Sequence, residues 1–121
     1  MTCRAQARHH RRRSVGKELA EQFQAQFDCE VREGCRMTEA SPMTFLTPPG
    51  RAVLGSTGVL MPNTEARVVD VDSGEDLEPG QRGEIWIRGP QLMKGYLNRP
   101  DATAETLTED GWLKTGDIGL C

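Results

Sequence analysis

Four short stretches of this chain gather the residue types that can do chemistry. They are Gly34-Cys35-Arg36-Met37-Thr38-Glu39, Gly83-Glu84-Ile85-Trp86-Ile87-Arg88-Gly89, Lys94-Gly95-Tyr96 and Trp112-Leu113-Lys114-Thr115-Gly116-Asp117. Each sets glycine beside a hydroxyl, a cation or an acid. Glycine lets a backbone come close to another group, and a carboxylate has two oxygens that accept hydrogen bonds. Taken singly, the acids have plainer readings. Glu39 before Ala40-Ser41-Pro42 reads as an exposed loop acid, and Asp117 after Gly116 reads as a turn residue.

Other chemistries are disfavoured. The four cysteines, Cys3, Cys29, Cys35 and Cys121, form no C-x-x-C pair, and the histidines, His9 and His10, sit in an arginine run. Neither a zinc site nor a disulfide framework follows from such spacing, so free thiols are expected.

The elements that must position these stretches are short. Val15, Leu19, Phe23 and Phe27 recur every four residues, which predicts an amphipathic helix from Ser14, its N-cap, to about Phe27. A strand over residues 30–33 should then deliver residues 34–39 as a loop, the way α/β proteins present ligand sites. Residues 40–64, rich in Pro, Thr, Gly and Ser, read as loop with one short strand. Ala66, Val68 and Val71 suggest a strand ending at the turn Asp72-Ser73-Gly74-Glu75, and Pro79-Gly80 marks another turn. Residues 84–88 alternate as a strand with Ile85 and Ile87 inward. Pro100 opens a helix over residues 101–107, and Asp110-Gly111 turns the chain into a last strand through Trp112 and Leu113. The expected fold is mixed α/β and β: the end of an α/β nucleotide-binding subdomain, residues 14–46, then a small twisted sheet or partial barrel, residues 47–121.

Composition agrees with one small domain of little stability margin, with 36% apolar and 27% charged residues in 121. No run approaches the ~20 apolar residues of a membrane helix, and no apolar stretch follows the basic start as in a secretory signal. Residues 1–17 hold Arg4, Arg8, Arg11, Arg12, Arg13 and Lys17 with no acid, so they carry +6, and the overall −3 leaves −9 for the rest. Such an arm could bind nucleic acid or an anionic membrane, or serve as a transit peptide. The preferred reading of residues 1–13 is a disordered tail, because no aromatic interleaves the arginines to stack on bases.

Taken together the motifs are specific. Pro90-Gln91-Leu92-Met93-Lys94-Gly95-Tyr96-Leu97-Asn98-Arg99-Pro100, followed by Asp110-Gly111-Trp112 and Thr115-Gly116-Asp117-Ile118-Gly119, resembles acyl-CoA synthetases of the adenylate-forming superfamily. The flavour is that of 4-coumarate–CoA ligase and its like. The resemblance implies ATP-dependent activation of a small carboxylic acid to an acyl-adenylate, then transfer to coenzyme A. Luciferase-like oxidation and a peptide-synthetase adenylation role stay open within the family. It also implies Thr38 and Glu39 as catalytic residues, with Thr38 on the α-phosphate and Glu39 on Mg²⁺. Gly34, Cys35, Met37, Thr38 and Asp117 would line the AMP site, Asp117 holding both ribose hydroxyls beside the permissive Gly116. Gly83, Gly95 and Tyr96 are expected to be structural, and Met37 and Trp86 to line core or pocket.

Departures from the family are equally plain. Where the family reads Gly-Tyr-Gly-Met-Thr-Glu, this chain reads Gly-Cys-Arg-Met-Thr-Glu from Gly34 to Glu39. Cys35 has no ring to stack on adenine, which is worth roughly 1–3 kcal/mol, or about 5- to 150-fold in affinity. Arg36 adds a Cβ where the family has glycine, with a phosphate contact as the alternative. No Ser/Thr/Gly-rich phosphate loop ending in Pro-Lys-Gly occurs, and the family's C-terminal catalytic lysine would lie beyond Cys121. The chain alone is therefore expected to catalyse neither half-reaction. A non-catalytic interaction role, including self-association through the helix face, is the competing expectation. The expected location is cytoplasmic, with the peroxisome as the family's alternative.

Overall fold

The computed structural model describes residues 16–120 and, for the backbone alone, residues 2–7. The arginine run, the Ser14 cap and Val15 lie outside the described residues.

Helix α1, Lys17–Phe27, keeps the register that its four-residue repeat demands and ends where Asp28 turns left-handed. Its first turn is capped by backbone alone: Ala20 N donates to the Gly16 carbonyl at 3.1 Å. Ala20 is fully buried, whereas Leu19, Phe23 and Phe27 are 60%, 49% and 58% exposed. The apolar stripe is real and faces outward.

Strands β1 (Thr2–Ala7), β2 (Gly34–Arg36), β3 (Met43–Leu46), β4 (Gly58–Leu60), β5 (Glu65–Val69), β6 (Gly83–Arg88) and β7 (Leu113–Leu120) form two antiparallel sheets. One is β2-β3-β4 and the other β5-β6-β7; β1 pairs with both β4 and β7. The outer strands β2 and β5 never meet, so no barrel closes. The mixed helix-and-strand class expected from sequence is observed.

Several boundaries differ from expectation for identifiable reasons. Residues 30–33 form no strand of their own; the Glu33 carbonyl accepts from Thr47 N at 3.0 Å, and their acids tie the segment to the loop over residues 50–55. Glu30 accepts from Gly50 N and Glu33 from Gly55 N, both at 3.1 Å. The stretch expected as a loop begins as β2 and continues as a 3₁₀ turn, Thr38–Ala40. Residues 40–64 contain two strands, β3 and β4, rather than one. Val71 is 60% exposed and leaves the ladder. Beside it the Asp70 carboxylate accepts from Asp72 N and Ser73 N, folding the turn a residue or two early.

The two sheets share one core. Ala40, Phe45, Ile85, Ile87 and Leu113 form its centre, with Cys35, Met37, Met93 and Leu107 packed against it. Ile85 and Ile87 are inward as their alternation requires. Helix α2, Pro100–Thr106, carries Pro at its first turn and packs beside β7.

Candidate functional site

The stretch from Gly34 to Glu39 is fixed by backbone pairing. Gly34 opposes Leu46 and Cys35 opposes Phe45, after which the register slips so that Arg36 opposes Met43. A side chain at Gly34 would put its Cβ 2.9 Å from the Phe45 carbonyl oxygen, so glycine is needed for close strand approach. The Thr44 hydroxyl donates to the Cys35 carbonyl at 3.1 Å and secures the slip. Arg36 is exposed and absent from the positive-φ residues. The left-handed backbone that would call for glycine is thus absent at this paired strand position, and a side chain is accepted there. Cys35 and Met37 are half-buried against the shared core.

Thr38 is exposed and opens the 3₁₀ turn. Glu39 is half-buried, and it is no free loop acid. The Tyr96 hydroxyl donates to Glu39 Oε1 at 2.8 Å, and Met93 N donates to the Glu39 carbonyl at 2.7 Å. Two motifs 57 residues apart thus meet at one side chain. Partial burial, and then the hydrogen bond to Glu39, push the Tyr96 hydroxyl above its ordinary value of 10.0. It is a protonated donor at neutral pH. Tyr96, expected to be structural, also touches the candidate residue Glu39; its motif is visible in the sequence, but the distant contact leaves no sign there.

The corner Thr115-Gly116-Asp117 lies inside β7 rather than in a turn. Gly116 has φ +71°, the left-handed region that disfavours side chains. Glu84 clamps this corner: its Oε1 accepts from Gly116 N at 2.9 Å and its Oε2 from Trp86 Nε1 at 2.8 Å. The Thr115 hydroxyl donates to the Ile85 carbonyl at 2.6 Å, and Asp117 N donates to Thr115 Oγ1 at 3.1 Å. Asp117 is half-buried, on the strand whose first residue, Leu113, joins the core with Cys35 and Met37. Sequence reasoning misses Glu84, because an acid on a strand signals only a solvated face.

Trp86 is half-buried and lies outside the central core cluster. The Arg67 guanidinium carbon lies 4.8 Å from its ring centroid and Lys114 Nζ 5.4 Å, while Arg67 and Arg88 both sit 4.5 Å over Trp112. These cation–π contacts stiffen the face of β5-β6-β7 away from the core. Arg88 also forms a fork with Glu65 at 3.2 and 2.7 Å, which holds the Glu65 carboxyl below its ordinary range.

The AMP-binding enzyme family model matches residues 12–97. The chain belongs to this family. The 4-coumarate–CoA ligase 1 of Arabidopsis thaliana is 47% identical over 112 residues, covering 88% of this chain and 20% of that protein. A luciferin 4-monooxygenase of Nipponoluciola cruciata is 42% identical over 106 residues, covering 87% of this chain and 19% of its own length. Among solved structures, ATP-bound MatB from Rhodopseudomonas palustris superposes with a TM-score of 0.78 at 34% identity, over 85% of this chain and 20% of that one. The chain spans about a fifth of the length of these curated relatives.

The residues fit one mode of divalent-cation binding. Among the described residues no group of three or more His, Cys, Asp or Glu side chains could hold a metal. Mg²⁺ is usually held by one or two carboxylates together with substrate phosphates, not by an all-protein cage. Glu39, with one oxygen engaged by Tyr96, is a donor of that kind.

Proposed function

We propose that this chain carries the Mg²⁺-binding and ribose-binding parts of an ATP-dependent carboxylate–CoA ligase. The observation that carries the proposal is the pair of anchored carboxylates: Glu39 held by Tyr96, and Asp117 on the corner clamped by Glu84. In this reading residues 14–46 supply the metal loop and residues 47–121 the ribose site.

The chemistry explains why both must be held. Attack of a carboxylate on the α-phosphorus gathers negative charge, and groups set in advance stabilise it without reorganising. Bound Mg²⁺ would supply most of that neutralisation. Glu39 would hold the cation, and Thr38, exposed at the start of its turn, would donate its hydroxyl to the α-phosphate. Asp117 would accept from both ribose hydroxyls. Gly34, Cys35 and Met37 would border the adenine, where a thiol gives less contact area than a ring. The thiol of coenzyme A would then attack the acyl carbonyl of the adenylate and displace AMP, leaving a thioester.

The test is a hybrid in which residues 34–120 replace the matching segment of a full-length relative. Asp117→Ala should abolish most ATP–pyrophosphate exchange in a hybrid that still unfolds cooperatively. Exchange within twofold of the unmutated hybrid would rule the ribose assignment out.

One observation favours a second reading, a role in association. Leu19, Phe23 and Phe27 form an exposed stripe on α1, with the two phenyl rings 4.6 Å apart. In this reading the stripe docks on a protein surface, a second copy of this chain included.

A further inference from the structure

We infer that Tyr96 is a positioning residue whose hydroxyl fixes the Glu39 carboxylate for its cation, and that Thr103 of α2 holds Tyr96 in place. The inference rests on the proposed assignment of Glu39 to the metal.

A glutamate side chain has several rotatable bonds, so an unrestrained carboxylate samples many orientations. Glu39 is restrained at both ends. Its carbonyl accepts from Met93 N at 2.7 Å, and its Oε1 accepts from Tyr96 at 2.8 Å. Oε2 has no hydrogen bond among the described residues, which leaves one oxygen oriented and available. Tyrosine suits the task because its ring is rigid and its one donor sits far from the backbone.

The tyrosine is itself held. Thr103 Oγ1 accepts from Tyr96 N at 2.9 Å and donates to the Arg99 carbonyl at 2.8 Å. A Cβ at Gly95 would come within 2.9 Å of Thr103 Cγ2, so this approach needs glycine beside the tyrosine. Motif residues Gly95 and Tyr96, the first turn of α2 and the 3₁₀ turn therefore form one linked unit. Its purpose is not packing alone, since Tyr96 is 36% exposed and a phenylalanine would fill the same space.

Tyr96 is the chain's single tyrosine, which gives a clean probe. In the 121-residue chain labelled with ¹³Cζ-tyrosine, Glu39→Gln should move the one tyrosine resonance; an unmoved resonance would overturn the contact and the inference. In the hybrid ligase, Tyr96→Phe should raise the Mg²⁺ concentration for half-maximal exchange about tenfold, the size expected for losing a hydrogen bond to a charged group. KM for the carboxylic acid and the melting temperature should stay put. Mn²⁺ affinity of the ATP-loaded hybrid, read by electron paramagnetic resonance, should fall in parallel. Thr103→Val should shift both in the same direction, by less. Tyr96→Phe should add nothing in a Glu39→Ala background. A Tyr96→Phe hybrid with unchanged metal dependence, beside a Glu39→Ala hybrid that loses it, would overturn the inference and leave the metal assignment standing. A Glu39→Ala hybrid with unchanged metal dependence would instead overturn the assignment itself.

Discussion

Replacing Glu84 tests whether the β6 side chain clamps the corner that carries Asp117. Its two oxygens accept from Gly116 N and Trp86 Nε1 at 2.9 and 2.8 Å, so Glu84→Ala releases two donors at once. A hydrogen bond to a charged partner contributes roughly 1.5–3 kcal/mol when well shielded and nearer 0.5–1 when water can replace it. Gly116 is exposed and Trp86 half-buried, so the lower values apply and the pair should contribute about 1–2 kcal/mol. For a chain of this size that is about 5 °C in melting temperature. Glu84→Gln keeps one accepting oxygen but turns an amide N–H toward a donor, so it should lose more than half as much. Urea denaturation of the 121-residue chain, followed by circular dichroism, measures the stability change. In the hybrid ligase, Glu84→Ala should also raise KM for ATP severalfold with a smaller change in KM for the acid. A stability change under about 0.3 kcal/mol together with unaltered ATP kinetics would refute the clamp.

Cys35→Tyr in the hybrid should tighten ATP binding by about 5- to 150-fold through stacking; Arg36→Gly should not help and should weaken β2 by about 0.5–1 kcal/mol, because the position is a paired strand residue. An unchanged KM for ATP in Cys35→Tyr would mean that the thiol is adapted to its site. Leu19→Glu with Phe23→Glu should shift the isolated chain toward monomer in sedimentation velocity, whereas an unaltered distribution would remove α1 as the associating face. Glu65, Asp70, Asp101 and Asp110 are all held below their ordinary values of 4.5 and 3.8, each chiefly by a hydrogen bond, from Arg88, Ser73, Arg99 and Thr108 respectively. Their contribution is complete above those ordinary values and is lost as pH falls through the lower folded values. Denaturation midpoints should therefore be flat from pH 5 to 7 and decline below about pH 4.

The features legible in the sequence are those that rest on local physics. The alternation of β6 is a matter of period two, so the pattern alone places Ile85 and Ile87 inward. Pro100 marks α2, and the four-residue repeat marks α1 to its last residue. Strands β2, β3 and β4 mostly escape such a reading because they run only three or four residues and gain their stability from partners, not from their own pattern. The end of β5 is misjudged because the Asp70 carboxylate accepts from Asp72 N and Ser73 N and folds the chain into a turn before Val71 can pair. Of the site, Glu39 and Asp117 are legible as motif members. Tyr96 on Glu39 and Glu84 on Gly116 are not, since those contacts span 57 and 32 residues and leave no periodic trace.

The most direct measurement is a crystal structure of the hybrid ligase soaked with AMP and Mn²⁺, whose anomalous scattering locates the metal. The account predicts ribose hydroxyls within hydrogen-bonding distance of Asp117 and an anomalous peak at bonding distance from Glu39, with Tyr96 still on its other oxygen. Nucleotide bound away from Asp117, or a metal peak with no contact to Glu39, would contradict it.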